Sequence, residues 1–191
     1  MELRRLSSFF SFLAFLFHVS CLYGISQSYS ITPNDSHIGF TATHMGFHKV
    51  TGRFHIVSGM LIWDNENTNA GVFMAHIQTS SMDTQNKIRD KHLKSDEFFD
   101  SERYPLITFQ STRIYQKDTQ WICVGLLDMH GARKEIQIPF TFLSPPLEGA
   151  GELHITASFL LDRADFGITH YARMIKNEVE ISLQIKAKII P

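Results

Sequence analysis

The chain reads as an all-β protein: one antiparallel sheet of about eight strands that closes into a barrel and carries a short helical insertion. Three observations predict this. Apolar and polar residues alternate through most of the chain at the period of a half-buried strand. Leu153, Ile155, Ala157, Phe159 and Leu161, for example, interleave with Glu152, His154, Thr156 and Ser158. Turn signals separate such rows at short intervals. Only one long segment, Ser81 to Ser111, changes character, with a charge run of Lys87, Arg89, Asp90, Lys91, His92 and Lys94. An open sheet of this kind would leave a row of unpaired edge N–H and C=O groups, and closure removes that edge.

The chain has 191 residues, a length that favours one domain with a sizeable core. Its first part does not read as structure. Met1 to Arg5 holds two arginines, Phe9 to Val19 is an almost uninterrupted apolar run, and Gly24 and Ser26 are small residues at which a signal peptidase can cut. Residues 1–26 are therefore expected to be a secretory signal peptide and 27–191 the mature domain, exported to the periplasm. The run is shorter than the ~20 residues of a membrane-spanning helix, so a retained anchor is the second reading. Cys21 after Val19-Ser20 has the look of a lipoprotein cleavage site, but His18 stands where Leu is usual.

After the leader, Ile38, Phe40 and Ala42 share one face of a strand, and Met45 to Gly52 read as the turn that follows. Asp64 to Asn69 form the next turn. In the charged segment Asp83 is expected to cap a helix over 84–93, in which Arg89 and His92 share a side. Ile88 and Leu93 would face inward, and Asp83 or Asp100 would accept a bidentate pair from Arg89. Phe98 and Phe99 read as an apolar plug. Tyr104-Pro105 ends the segment, since the residue before proline is driven from helical angles, and the alternating LITFQSTRI after it is a strand. Cys123 lies within a strand and reads as a buried, inert thiol. Ile136, Ile138, Phe140 and Phe142 form one further row, and Val179, Ile181, Leu183, Ile185, Ala187 and Ile189 the last. Ser144 to Gly151 is a loop. Asp162 to Ile168 is expected to be a barrel-end turn in which Arg163 pairs with an acid.

Charge and motifs exclude several function classes. Removing residues 1–26 takes Glu2, Arg4 and Arg5 away, lowering Lys plus Arg from 18 to 16 and Asp plus Glu from 19 to 18. A mature charge near −2 argues against sequence-independent nucleic-acid binding, which needs a basic face. Nine histidines remain of the ten, but without H-E-x-x-H or zinc spacing, so no metal is expected. There is no G-x-S-x-G elbow and no dinucleotide loop, because Gly149-Ala150-Gly151 opens a strand. No catalytic residue, enzymatic activity or cofactor is predicted. The inward apolar rows either fill a core or line a space for one ligand, and periodicity alone does not decide between them.

The charged segment carries a resemblance as well. The pattern R-D-x-H-L-x-S-x-x-F-F-D from Arg89, followed after three residues by Y-P-x-I-T-F-x-S, resembles the signature of the YceI-like family of periplasmic polyisoprenoid-binding proteins. Ser36-His37-Ile38-Gly39-Phe40, His44-Met45-Gly46, Gly52-Arg53-Phe54, His130-Gly131 and the run from Asp162 to Ile168 agree with it in order and spacing. The resemblance spans about Tyr29 to Lys188 and implies a lipocalin-like barrel that holds an isoprenoid lipid, a polyprenyl phosphate or an isoprenoid quinone, for transport, storage or sensing. Under that reading Phe40, Phe54, Ile77 and Phe109, with Phe140, Phe142, Phe159 and Leu161, line the lumen. His44, Arg53, Arg89 and His92 form a polar mouth for the head group. The resemblance also makes transient membrane contact and a homodimer questions for the structure. A ligand-free stress-related barrel and an enzyme acting on the lipid head group are the competing readings.

Overall fold

The computed structural model describes residues 26–147 and 149–191. Apart from Ser26, the leader expected over residues 1–26 lies outside the described residues, as does Cys21. The strands are β1 (Gln27–Ile31), β2 (His37–His44), β3 (His48–Phe54), β4 (Val57–Trp63), β5 (Val72–Gln78), β6 (Met82–Asp83), β7 (Leu106–Lys117), β8 (Gln120–Met129), β9 (Ala132–Phe142), β10 (Glu152–Asp162) and β11 (Ile175–Ile189). One α-helix, α1 (Lys87–Leu93), interrupts them between β6 and β7.

The sheet closes because β1 pairs with both β4 and β11. Eleven strands nevertheless make eight walls. β1 and β2 run in succession along β11, at Ala187–Ile189 and at Ile175–Gln184. β3 and β4 follow the same division against β2 and β1, and β6 and β5 repeat it against β3 and β4. Three long strands are thus each broken once. Pro33, whose missing N–H cannot serve a ladder, opens the 3-10 turn Pro33–Asp35 that separates β1 from β2. His55 and Ile56 separate β3 from β4, and the 3-10 turn Thr79–Ser81 separates β5 from β6. The remaining walls are long, continuous and antiparallel, with β10 and β11 in register from Glu152↔Lys188 to Asp162↔Glu178. The described residues thus form an eight-stranded closed antiparallel barrel with one short α-helix among them.

The breaks create an opening. β5 pairs with β7, but the short β6 pairs only with β3, so the upper part of the wall between β6 and β7 is supplied by α1 and the turns up to Pro105. Thr79 ties the base of that insertion shut, donating its N–H to Pro105 O (3.0 Å) and its hydroxyl to Tyr104 O (2.9 Å). The opposite end is filled with rings. Trp63 meets Phe142 at 4.8 Å and Trp121 at 5.1 Å between centroids, and Phe140 meets Phe142 and Phe73 at 5.4 Å each. Edge-to-face packing of this kind adds to the burial energy. The Trp63 indole N–H finds Asn65 Oδ1 at 2.9 Å, so the floor leaves that polar group satisfied.

Four local expectations require correction. The helix begins at Lys87 and not at residue 84, because Gln85 takes a left-handed φ of 60° that no helix accommodates. Its cap is Asn86, whose side-chain oxygen accepts from the N–H groups of Ile88 and Arg89 at 3.1 Å. Asp83 instead belongs to β6, where its carboxylate accepts from Gln85 N–H (2.7 Å) and contacts His55 Nε2 (3.0 Å). Ile88 does not face inward: it is 85% exposed, because the seven-residue helix turns the side of Arg89, His92 and Leu93 towards the barrel. The turn after β2 is also shorter than expected, Met45 to Phe47. Met45 and Gly46 both take positive φ (52° and 82°), which lets the strands pair directly down to His44↔His48.

Candidate functional site

Inside the barrel is a cavity of about 580 Å³. The inward rows that the alternation marks out form its wall. Phe40, Phe54, Ile77, Phe109, Phe140, Phe159 and Leu161 all border it. Phe142 does not, although it shares their face, because β9 carries it below Phe140 into the aromatic floor. Small side chains keep the upper lumen open: Ala42 stands between Val50 and Val179 on neighbouring strands, and all three border the space. At Gly52 an added Cβ would lie 2.3 Å from the Phe40 ring and 2.8 Å from Thr84 Cγ2, so the glycine admits both the ring and the base of the insertion. Cys123 also borders the cavity, and burial pushes its thiol up to about 12, which keeps it protonated and unreactive at neutral pH.

The polar border lies at one end. His44 at the top of β2, Arg89 and His92 on α1, Arg163 after β10, and Tyr171 surround it, and among the described residues no Asp or Glu borders the cavity. Tyr171 and Met174 are 42% and 43% exposed while bordering the same space, so the cavity meets solvent here. Arg53, expected among these groups, is not one of them. Phe54 takes the inward direction on β3, so Arg53 points outward, in register with Asp83.

The two cavity-bordering arginines are held differently from expectation. Among the described residues Arg89 bonds no carboxylate; its Nε donates to Thr84 Oγ1 and one Nη to Thr84 O, both at 2.8 Å. Thr84 in turn donates its hydroxyl (2.6 Å) and its N–H (2.8 Å) to Asp90, so negative charge reaches Arg89 through a hydroxyl. Arg163 is only 6% exposed and forms no ion pair among the described residues. It donates instead to four carbonyls, two in the turn that follows and two at the start of β11: Ile168 (2.8 Å), His170 (2.9 Å), Ile175 (3.1 Å) and Lys176 (3.3 Å). Burial lowers its pKa, against which Asp162 acts in the opposite direction.

A second set of contacts joins this turn to the insertion. Glu97 accepts from Tyr171 OH (3.0 Å) and contacts His92 Nε2. The Phe98 ring stacks on Tyr171 at 5.8 Å, and the His92 ring stands edge-on to both. The hydrogen bonds from His92 and then Tyr171 hold the Glu97 carboxyl below its ordinary range, and Glu97 holds the Tyr171 phenol above its own. Phe98 and Phe99 both plug and line: Phe98 is buried, Phe99 stands edge-on to Phe54, and each borders the cavity. Arg163 and Tyr171 were missed as border residues by sequence reasoning. The flanking Asp162 and Asp165 offered Arg163 an acidic partner at the surface, so the sequence held no signal for its burial at the cavity border; Tyr171 sits in a turn with no periodicity.

The lumen is therefore an apolar tube, floored by aromatics, whose open end carries cations and hydrogen-bond donors. It suits an amphiphile with a long hydrocarbon part and a head that is anionic or accepts hydrogen bonds.

Comparison with known proteins agrees in fold and sequence. The YceI-like domain profile matches residues 29–187. A UPF0312 protein of Vibrio cholerae is 31% identical over 148 residues, 75% of this chain and 78% of its own. A UPF0312 protein of Pseudomonas paraeruginosa is 30% identical over 166 residues, covering 85% and 87%. Among solved structures, Burkholderia cenocepacia BcnA superposes with a TM-score of 0.75 at 18% identity, over 83% of this chain and 99% of that one. A polyisoprenoid binding domain from Saccharophagus degradans, implicated in plant cell wall breakdown, gives 0.67 at 19% identity, over 86% and 99%. With a matched profile over most of its length and relatives above 30% identity, the chain belongs to the YceI-like domain family.

Proposed function

We propose that this protein binds an isoprenoid lipid, a polyprenyl phosphate or an isoprenoid quinone, with the tail in the lumen and the head among His44, Arg89, His92 and Arg163. Exported by its leader, it would carry, store or sense that lipid in the periplasm without transforming it. The observation that carries the reading is the cavity itself. Its wall is almost wholly apolar and one end meets solvent, so without a ligand the space of about 580 Å³ would set water against hydrocarbon. Such a space is built to be filled. Burying a prenyl tail removes apolar surface from water at about 25 cal/mol per Å². Of the border donors, Tyr171 and His92 already meet Glu97, whereas Arg89 and Arg163 are fixed by neutral oxygens, so the two arginines favour a phosphate or a quinone carbonyl over a cationic head. The polyisoprenoid-binding relative supports the tail class.

Native mass spectrometry of protein purified from its own host tests this. A co-purifying mass that extracts into organic solvent and rebinds to the delipidated protein is expected. Repeated absence of such a mass, together with failure of added polyprenyl phosphate and quinone to bind, would leave a barrel without cargo.

A further inference from the structure

The open end carries apolar side chains that the barrel itself has no use for. Phe47 is 75% exposed and Met45 55%, both at the tip of the β2–β3 turn; Ile88 on α1 is 85% exposed, and Tyr171 and Met174 follow at 42% and 43%. These residues come from three separate segments that meet around one opening. Met45 N–H donates to Met174 O at 2.6 Å, joining the β2–β3 turn to the turn before β11. Tyr171 is joined to α1 through Glu97 and His92. His44, His92, Tyr171 and Met174 all border the cavity, so the apolar tips stand around its entrance.

The charges among these tips are mostly positive. In segments 45–49, 87–97 and 170–174 the exposed Lys49, Lys87, Lys91 and Arg173, with His48 and His170, outnumber Asp96 and Glu97, whose side chain is 41% exposed and already engaged by His92 and Tyr171. Among the described residues none of those four cations takes part in an ion pair. The floor end makes a useful contrast. Leu143 and Leu147 are 66% and 67% exposed there, but the nearby cations are neutralised: Lys186 and Lys188 both pair with Glu152, at 3.1 and 3.7 Å. Apolar tips ringed by free cations fit a surface that is greasy beneath and negative on top. They do not fit a second copy of the same face, which would set like charges against each other across a two-fold axis.

We propose that the rim formed by Met45, Phe47, Ile88, Tyr171 and Met174 is a membrane-docking surface, which seats the open end of the barrel on a bilayer containing anionic lipid. Phe47 and Met174 insert among the acyl chains, while Lys49, Lys87, Lys91 and Arg173 lie at the level of the headgroups. The orientation places the apolar entrance against the hydrocarbon, so a long tail can pass between bilayer and lumen without crossing water. Docking depends on the rim and not on what the lumen holds, so failure of one reading leaves the other standing.

The test uses protein produced from the full-length sequence and vesicles of phosphatidylcholine with or without phosphatidylglycerol, some with brominated acyl chains. Tryptophan reports depth: Phe47→Trp should be quenched by brominated lipid in the anionic vesicles, whereas Leu143→Trp at the floor should not. The double variant Phe47→Ser/Met174→Ser should bind these vesicles at least about tenfold more weakly, from the loss of buried apolar area. Leu143→Ser/Leu147→Ser should bind as the parent does, and added salt should weaken the parent. Both doubles alter exposed side chains, and thermal midpoints equal to the parent's confirm that each remains folded. The proposal fails if residue 47 is not quenched, if residue 143 is quenched equally, or if the rim double binds unchanged. It fails too if sedimentation shows a dimer of the parent that the rim double abolishes, which would make this face a subunit interface.

Discussion

Whether the lumen is vacant space or a filled core can be decided by one substitution, because the two cases give opposite signs. Ala42 borders the cavity from the middle of the upper wall, between Val50 and Val179. In a packed core, Ala42→Phe would force in a ring where no volume exists, at a cost of about 1–3 kcal/mol. In a vacant tube the ring instead buries itself against Phe40 and the opposite wall. Full burial of such a side chain is worth roughly 1.5–3 kcal/mol, and a partly wetted one less, so about 1 kcal/mol of added stability is expected in the delipidated protein. For a domain of this size that corresponds to about 2–4 °C in thermal midpoint. The same ring occupies the space of roughly one isoprene unit. At ~0.8 kcal/mol per buried carbon group, displacing that five-carbon unit weakens a prenyl lipid by about 4 kcal/mol, on the order of a thousandfold in Kd. Calorimetry of the delipidated variant and a titration with polyprenyl phosphate read both quantities. A lower midpoint with unchanged lipid affinity would refute the reasoning.

Two further outcomes follow from the border groups. Arg163→Leu removes the donor to four carbonyls at once, and with each unpaired buried acceptor costing about 1–3 kcal/mol even after partial rehydration, a loss of at least about 2 kcal/mol in unfolding free energy is expected, with faster hydrogen exchange concentrated in residues 168–176. Uniform exchange across the barrel would contradict the clamp. The Glu97 latch should depend on pH in both directions. Its carboxyl is lowered in the folded state, so its contribution is complete above the ordinary Glu range and disappears as pH falls through the lowered folded value; the Tyr171 phenol is raised, so its contribution is present below the ordinary Tyr range and is lost as pH rises through the raised value. The difference in thermal midpoint between the parent and Glu97→Gln should therefore be largest between those ranges and shrink outside them, and a difference independent of pH would exclude the latch.

Much of the fold was legible because a closed barrel writes its two faces into a period of two. The rows of β10 and β11 appear in the sequence as they stand in the wall, and the floor and lumen share those rows. What the period could not convey is where a row stops being lumen. Phe140 and Phe142 are indistinguishable by alternation, yet one borders the cavity and the other is packed against Trp63 and Trp121. Depth along a strand is fixed by register with its neighbours, and register comes from pairings between segments far apart in the chain. Breaks within a wall were equally hidden, since β3 and β4 are separated only by His55 and Ile56, a gap with no glycine or proline to mark it.

The border of the cavity was legible only in part, for a different reason. Charged side chains were matched by sequence to opposite charges, because a carboxylate is the partner that a reader of sequence can name. The fold satisfies both cavity-bordering arginines with oxygens that are neutral and, for Arg163, wholly backbone. That choice has a consequence for recognition. An arginine neutralised by its own carboxylate offers an incoming anion little attraction, whereas one whose geometry is fixed by carbonyls keeps its full charge in a site of reduced dielectric. Burial lowers the pKa of Arg163 and outweighs the opposing pull of Asp162, so the buried cation would gain from a closer counter-charge. A phosphate arriving at the entrance would supply that counter-charge, while a quinone carbonyl would accept a hydrogen bond and leave the charge uncompensated. Of the two head groups proposed above, the physical asymmetry at Arg163 favours the phosphate.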